Sequence, residues 1–323
     1  MKISVNISPL IVMLSRRKTP GPYGIHKAEC LIGFAEKINE KMSPADGSLS
    51  HLERIKLCSD RELFFINSET IARNLHERGF EGEAELRDIA HSDLTAGVYE
   101  GGLKVWEGAI DLCNFVDSSP DEVVFINKSV LEIGCGAALP TILALQKGAK
   151  NAVAQDFNKA VIECFTKDNF SPNNVKIDKC QFYVGEWMQF REYLDKQKWK
   201  QKADDQWSTK NRKRSKGRTE GKVTQSMVGC CNANVNKFDI ILSAETIYSE
   251  CMYERLHDLI DTALAPDGLV LLAAKLYYFG VGGSVPTFLD FVKSRGKFDS
   301  IDRWTSKTEV PRKVIQLTRK SFS

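Results

Sequence analysis

From residue 129 onward, short apolar runs alternate with segments of helical spacing, and this alternation limits the folds open to the chain. The strand-like runs are Ser129–Ile133, Asn151–Gln155, Gln181–Val184, Phe238–Ser243, Leu269–Ala274 and Val314–Thr318, with a weaker one at Phe298–Arg303. The helix-like segments are Leu139–Lys147, Lys159–Asn169, Trp187–Leu194, Met252–Ala265 and Pro286–Lys293. Strands that alternate with helices are typical of βαβ units with right-handed crossovers. The sequence therefore predicts an α/β fold with a doubly wound, mostly parallel, seven-stranded sheet.

The alternation does not extend over the first hundred of the 323 residues, and we interpret these as separate parts. We expect residues 1–60 to be a largely disordered N-terminal arm, residues 61–100 a helical extension, and residues 101–323 the α/β domain. Apolar residues at helical spacing predict a helix over Asp60–Arg78. Residues 1–28 carry basic but no acidic side chains, so a mitochondrial targeting segment stays open as an alternative to a plain disordered arm.

The positive charge of the chain is concentrated in one segment. Overall, 45 Lys and Arg face 42 Asp and Glu, but residues 195–236 hold eleven of the basic and four of the acidic side chains. Because this segment has almost no aliphatic residues to bury, we expect it to be a disordered basic insertion within the α/β domain. It is typical either of a nuclear or nucleolar address or a contact with ribosomal RNA, or of a loop that only keeps the protein soluble.

Cysteine usage and hydropathy exclude several classes of protein. The nine cysteines contain no C-x-x-C pair, which disfavours a secreted disulfide framework and a zinc site of the usual spacing. No apolar run approaches the roughly 18 residues of a membrane span. From these features we expect a reducing, intracellular compartment, with no metal and no membrane partner. Together with the basic segment, they lead us to expect a protein of the cytoplasm and the nucleus or nucleolus.

Glycines follow the first strand-like run and come just before a helix. Gly134 and Gly136 let the backbone approach a ligand closely, and the start of the next helix offers free N–H groups. Asp156 ends the following strand, 20 residues beyond Gly136, where a carboxylate can accept both hydroxyls of a ribose. The sequence therefore predicts a nucleoside-containing cofactor at this edge of the sheet.

Two kinds of cofactor compete for this loop. A dinucleotide site has a third glycine that makes room for the pyrophosphate, whereas this chain has Leu139 and Pro140 in that region. Glu132, two residues before Gly134, is out of place beside a pyrophosphate but suits a cationic methyl donor. The glutamate–glycine pattern resembles the S-adenosylmethionine-dependent methyltransferases. A dehydrogenase, and a protein that kept the fold but lost catalysis, stay as alternatives.

Five further segments carry a more specific resemblance. They are His91–Glu107, Gln155–Asn158, Gly185–Trp187, Phe238–Tyr248 and Ala274–Gly283. Together they resemble the eukaryotic protein-histidine N-methyltransferases that modify a large-subunit ribosomal protein, over about Ser92–Lys320 outside the basic insertion. The resemblance implies a Rossmann-like class I methyltransferase fold and S-adenosyl-L-methionine as cofactor; separately, we expect a monomer. It also implies methylation of the remote (tele) imidazole nitrogen, with an influence on ribosome assembly and translation.

The resemblance also assigns roles to individual residues. The donor site would be lined by Val105, Trp106, Glu107, Gly108, Ala109, Glu132, Gly134, Gly136, Gln155, Asp156, Phe157, Gly185, Glu186, Trp187 and Ala244. Glu245 and Tyr248 match an acidic-x-x-aromatic motif that related protein methyltransferases use where the substrate enters. Ala138 replaces a third glycine of the usual pattern. We expect His91, next to the donor segment, to be an exposed loop histidine, with self-methylation by the enzyme as the alternative.

Imidazole is a suitable methyl acceptor because its usual pKa of about 6.5 leaves it largely neutral in the cytosol. A group that accepts the N–H of one ring nitrogen leaves the other nitrogen with its lone pair towards the methyl group. We hypothesise that Glu245 or a neighbouring carbonyl accepts this N–H and that Tyr248 packs against the ring. A protein-lysine methyltransferase, or a ribosome-assembly factor with a mainly structural donor site, stays as an alternative.

Overall fold

The computed structural model describes residues 51–80, 101–196 and 237–321. Most of the predicted N-terminal arm, including residues 1–28, and nearly all of the basic insertion lie outside the described residues. The same holds for residues 81–100 of the predicted helical extension, which include His91. No helix of the described part is both long enough and apolar enough to cross a membrane.

A seven-stranded sheet forms the centre of the described chain. Its strands are β3 (Ser129–Ile133), β4 (Asn151–Asp156), β5 (Cys180–Val184), β6 (Phe238–Ala244), β7 (Leu264–Lys275), β8 (Phe298–Thr305) and β9 (Arg312–Arg319). They lie in the order β5-β4-β3-β6-β7-β9-β8. The first five strands of this order pair in parallel, while β9 runs antiparallel to both β7 and β8. The predicted doubly wound, mostly parallel, seven-stranded fold is confirmed.

Helices cover both faces of the sheet. They are α2 (Glu107–Ser118), α3 (Leu139–Gln146), α4 (the helical segment 159–169, whose middle is a π-helix), α5 (187–196), α6 (Tyr253–Ala263) and α7 (Val285–Arg295). Because side chains of a strand alternate between faces, Val130 packs into one apolar cluster with α2 and α3, whereas Leu131 packs into another with α6 and α7. This two-sided burial explains why the central strands are apolar throughout their length.

The N-terminal extension corrects one prediction. Residues 52–66 form an antiparallel hairpin of β1 (Leu52–Lys56) and β2 (Glu62–Ile66), and the helix α1 (Ser68–Glu77) begins only after it. The predicted helix is therefore wrong over residues 60–67, the first eight of its nineteen residues, and residues 52–60, which we expected in the disordered arm, lie in this hairpin.

Contacts that are distant in sequence explain this error. The β2 backbone N–H groups of Phe64 and Ile66 donate to the side chains of Asn173 and Asn169, both at 2.9 Å. Asn67 then accepts from the backbone N–H of Thr70 at 3.0 Å and caps α1. Local helical spacing cannot reveal partners more than 100 residues away.

Candidate active site

The predicted site residues lie along the carboxyl ends of β3, β4, β5 and β6, which is where ligands bind in open α/β sheets. The loop after β3 turns sharply, with φ of +66° at Gly134, +47° at Gly136 and +56° at Ala138. A side chain is disfavoured at such angles, and an added Cβ on Gly136 would lie 3.2 Å from the carbonyl oxygen of Gly102. The loop therefore brings bare backbone to this edge of the sheet.

The amide of Gln155 joins three parts of the predicted donor site. Its Oε1 accepts from the backbone N–H of Gly134 at 3.2 Å and from the indole Nε1–H of Trp187 at 3.1 Å. Its Nε2 donates to the carbonyl of Gly185 at 2.8 Å. Since Gln155 is fully buried, the structure gives it a supporting position that holds the glycine loop and the indole ring in place.

Asp156 places its carboxylate at the end of β4. Its Oδ2 accepts from the backbone N–H of Gly136 at 2.9 Å, and its Oδ1 accepts from that of Asn158 at 3.3 Å. The same carboxylate faces Gly102, on which an added Cβ would lie 3.3 Å from Oδ1. Asp156 thus lies between the glycine loop and the chain that leads to α2, as a ribose-binding carboxylate requires.

Glu132 is not where the pattern suggested. Its Oε2 accepts from the backbone N–H of Thr141 at 2.9 Å and from the Thr141 hydroxyl at 2.5 Å. The residue is 1% exposed, beneath the loop, so it holds the first turn of α3 instead of lining the predicted site. Burial raises the pKa of this carboxyl to about 8, against the lowering effect of the two Thr141 hydrogen bonds.

We predict that Glu132→Gln makes folding stability less dependent on pH. Between its usual pKa of 4.5 and about 8, the folded protein keeps a proton on Glu132 that the unfolded chain has lost. The free energy of unfolding therefore falls as the pH rises through this window, by about 1.4 kcal/mol per pH unit, and levels off above it. Glutamine accepts the same two Thr141 hydrogen bonds but does not ionise.

Urea unfolding of both proteins at pH 6 and pH 8 measures this difference. The wild type should lose about 2 kcal/mol more stability over this interval than the variant. Glu192→Gln, at an exposed position on α5, is the matched control and should behave like the wild type. Equal losses for Glu132→Gln and the wild type would contradict a protonated carboxyl beneath the loop.

Glu245 has an unusual backbone and an unsatisfied oxygen. It follows β6 with φ of +58°, a conformation that costs energy outside glycine and clusters at functional sites. Its Oε2 accepts from the hydroxyl of Tyr278 at 2.5 Å. Its Oε1 faces α2, where an added Cβ on Gly108 would lie 2.6 Å away. Within the described part of the chain, this buried Oε1 has no hydrogen-bond partner, so it can accept one from a ligand.

Charged side chains surround Glu245. Burial raises the pKa of its carboxyl, and Glu107 adds to this, while the Tyr278 hydrogen bond and the cations Lys275 and Arg312 oppose it. Lys275 Nζ lies 3.6 Å from the carboxylate of Glu107 and 5.3 Å from the centre of the Trp106 ring. The first turn of α2 therefore meets the end of β7 in a charged network beside Glu245, in which the two cations and the Tyr278 hydrogen bond oppose the net rise in the pKa of this carboxyl.

The other predicted residues lie along the same edge, but fewer contacts connect them. Trp106 donates from its indole N–H to the carbonyl of Gly101 at 2.9 Å, and this bond links the two ends of the short segment that precedes α2. Glu186 lies 4.0 Å from Arg255, on the side of α6. Tyr248 meets Tyr278 edge-on, with ring centres 6.5 Å apart. Val105, Ala109, Phe157 and Ala244 lie in the segments that border the site: the chain before α2 and its first turn, and the ends of β4 and β6.

Sequence reasoning missed two residues that support the site. Thr141 receives no role from any motif, yet both of its donors serve Glu132. Tyr278 lies in the segment Ala274–Gly283, which contributed to the resemblance without a role for any of its residues. Its position just beyond β7, at the same edge as Glu245, was the available signal.

These residues fit S-adenosylmethionine. The positive φ values of Gly134 and Gly136 leave a floor without side chains, Asp156 supplies the acceptor for ribose hydroxyls, and the indole of Trp187 offers a flat surface for adenine. The buried carboxylates of Asp156 and Glu245 also make the edge favourable for a cationic ligand.

Comparison with known proteins gives the class of the fold. The family model for ribosomal protein L11 methyltransferase matches residues 118–205. A solved structure described as a SAM-dependent methyltransferase from Streptococcus mutans superposes with a TM-score of 0.50 at 10% identity, over 92% of this chain and 67% of that one. The fold and the site thus define a Rossmann-like domain of the S-adenosylmethionine-dependent methyltransferase class.

Proteins of similar sequence indicate a narrower group within the methyltransferases. The histidine protein methyltransferase 1 homolog of Bos taurus is 31% identical over 79% of this chain and 65% of its own length. That of Dictyostelium discoideum is 31% identical over 71% of this chain and 61% of its own. The chain is therefore similar in sequence to the proteins with this name, and the predicted resemblance to protein-histidine methyltransferases is confirmed. It spans less than two thirds of the length of these relatives.

Proposed function

We propose that the protein transfers a methyl group from S-adenosylmethionine to the remote (tele) nitrogen of a histidine in a large-subunit ribosomal protein. The observation that carries this proposal is the buried Oε1 of Glu245, which has no partner among the described residues and lies beside the predicted donor site. The names of the sequence relatives support a histidine as the acceptor.

The acceptor half of the reaction depends on Glu245. Its Oε1 accepts the N–H of one imidazole nitrogen, so the lone pair of the other nitrogen points away from the carboxylate. The imidazole becomes a cation as it gains the methyl group, and a nearby carboxylate stabilises this developing charge. Tyr248, in the same loop, packs against the ring of the acceptor.

The donor half depends on alignment. S-adenosylmethionine, when bound, supplies a methyl group that its sulfonium already activates. Asp156 accepts the ribose hydroxyls, while Gln155 fixes Trp187 and the glycine loop, so that donor and acceptor meet in one geometry. Proximity and orientation of this kind supply most of the rate enhancement when the leaving group needs no further activation.

A short, glycine-rich segment beside Glu245, residues 277–283, supports a polypeptide as the substrate. Tyr278 points inward to Glu245, whereas Tyr277 and Phe279 on either side of it are exposed, Phe279 to 83%. The segment is tied to the site because the N–H of Gly283 donates to the carbonyl of Tyr248 at 2.8 Å. Exposed aromatic side chains at the rim of a site suit contact with a protein surface.

The wider setting of the reaction follows from the same proposal. The protein acts as a monomer in the cytoplasm and the nucleus or nucleolus, where large ribosomal subunits assemble, and so influences ribosome assembly and translation. The basic residues of 195–236 supply a contact for ribosomal RNA or the pre-ribosome.

Mass spectrometry of the product tests the proposal. The full chain is incubated with S-adenosylmethionine labelled in the methyl group and with ribosomal proteins from cells that lack this gene. Hydrolysis and chromatography against standards should show the label in tele-methylhistidine from one large-subunit protein. The variant Asp156→Asn is the control and should give little label. Label found only in methyl-lysine, or in RNA, would contradict a histidine acceptor.

A further inference from the structure

Tyr278 holds the carboxyl group of Glu245 from the side opposite α2. Its hydroxyl donates to Oε2 of Glu245 at 2.5 Å, while Gly108 of α2 lies against Oε1. The two oxygens of one carboxylate therefore have different surroundings, since one is hydrogen-bonded and the other is free within the described structure.

The direction of this hydrogen bond is fixed. The oxygen of the Tyr278 hydroxyl itself accepts from the backbone N–H of Lys275 at 3.3 Å, so its proton is left to point at Glu245. Burial and the neighbouring carboxylate raise the pKa of Tyr278 well above its usual value, so the phenol stays protonated. The main chain is fixed as well, because Tyr278 N–H donates to the carbonyl of Gly283 at 2.9 Å.

We propose that Tyr278 is a positioning residue that determines which imidazole nitrogen receives the methyl group. This inference rests on the proposed function. By occupying Oε2, the phenol leaves Oε1 as the acceptor for the substrate N–H, and only one of the two ring nitrogens then faces the methyl donor. Without this bond, the position of Oε2 is a second free acceptor on the other side of the carboxylate, so the imidazole can also bind with its nitrogens exchanged.

The ratio of the two methylhistidine isomers tests this role. Tyr278→Phe removes only the hydroxyl, and we expect a fall in kcat of about tenfold, as for the loss of a hydrogen bond to a charged group. The pros isomer should rise from a trace to at least a tenth of the product. Affinity for S-adenosylmethionine, measured by calorimetry on the full chain, should stay within a factor of two of the wild type.

Two further variants separate positioning from a general loss of structure. Tyr253→Phe removes a buried phenol that bonds to Ser284, Thr287 and the backbone carbonyl of Ile247 but not to the carboxylate of Glu245, so it should leave the isomer ratio unchanged. Gly108→Ala introduces a Cβ 2.6 Å from Oε1 and should displace the carboxylate while the side chain of Tyr278 keeps its hydroxyl. It should therefore also raise the pros isomer.

The outcomes are distinguishable from one another. If the wild type methylates no histidine, the proposed function fails and this inference fails with it. If the wild type makes tele-methylhistidine, and Tyr278→Phe gives the same isomer ratio and the same kcat as Tyr253→Phe, only the role of Tyr278 is overturned. A raised pros fraction in Tyr278→Phe and Gly108→Ala, but not in Tyr253→Phe, supports it.

Discussion

Asp156→Asn should weaken the binding of S-adenosylmethionine about 100-fold. The carboxylate of Asp156 has two acceptor oxygens at the end of β4, one of which accepts from the backbone N–H of Gly136. Asparagine keeps a single acceptor oxygen and no charge, so it cannot serve both the loop and a pair of ribose hydroxyls. Hydrogen bonds to charged groups contribute about 1.5–3 kcal/mol each, and a loss of about 2.7 kcal/mol corresponds to 100-fold in affinity.

Calorimetric titration of both proteins with S-adenosylmethionine measures this effect. Asp178→Asn, an exposed carboxylate before β5, is the matched control and should bind the ligand as the wild type does. An Asp156→Asn protein that binds as tightly as the wild type would place the ribose elsewhere. Expression of the same variant in cells distinguishes a methyltransferase from a ribosome-assembly factor. If the protein is an assembly factor with a structural donor site, ribosome assembly should stay normal in the variant although methylation is lost.

The parts of the fold that sequence could predict are those that local pattern determines. Central strands such as β3 and β6 are apolar throughout because both of their faces are buried, and this pattern is visible without knowledge of their partners. The glycine loop after β3 is equally local, since Gly134 and Gly136 adopt positive φ within four residues of the strand. Fold class and donor loop therefore followed from the sequence.

The parts that sequence could not predict depend on distant partners. Strand β2 pairs with β1 and also donates to Asn169 and Asn173, and the sequence of residues 60–67 does not reveal these two distant partners. The motif predicted that Glu132 lines the donor site. In the structure its carboxyl group instead accepts a hydrogen bond from the hydroxyl of Thr141, at the start of α3. Tyr278 acquires its role only because β7 ends beside β6, which periodicity does not reveal.

Glu245→Gln should lower kcat for histidine methylation by roughly 10²–10³-fold, with little change in the affinity for S-adenosylmethionine. Such losses are typical when a group that stabilises developing charge is removed. Glutamine is neutral, so it does not stabilise the imidazolium that methyl transfer creates. Its amide also places an NH₂ at one of the two oxygen positions. If Tyr278 continues to donate to the remaining oxygen, the NH₂ takes the place of Oε1 and donates where the substrate needs an acceptor.

Steady-state kinetics over a range of pH test whether the ionisation of Glu245 contributes to the rate. Because burial raises the pKa of Glu245, the wild-type rate should fall as the pH drops through both this pKa and that of the substrate imidazole. The variant should lose the contribution of Glu245 to this acid limb and keep that of the imidazole.

A surface carboxylate on the neighbouring helix, Glu254 of α6, supplies the control Glu254→Gln, which should leave both kcat and the pH profile unchanged. A Glu245→Gln protein with full turnover would remove this carboxylate from the mechanism, and the N–H of the imidazole would then need a backbone carbonyl as its acceptor.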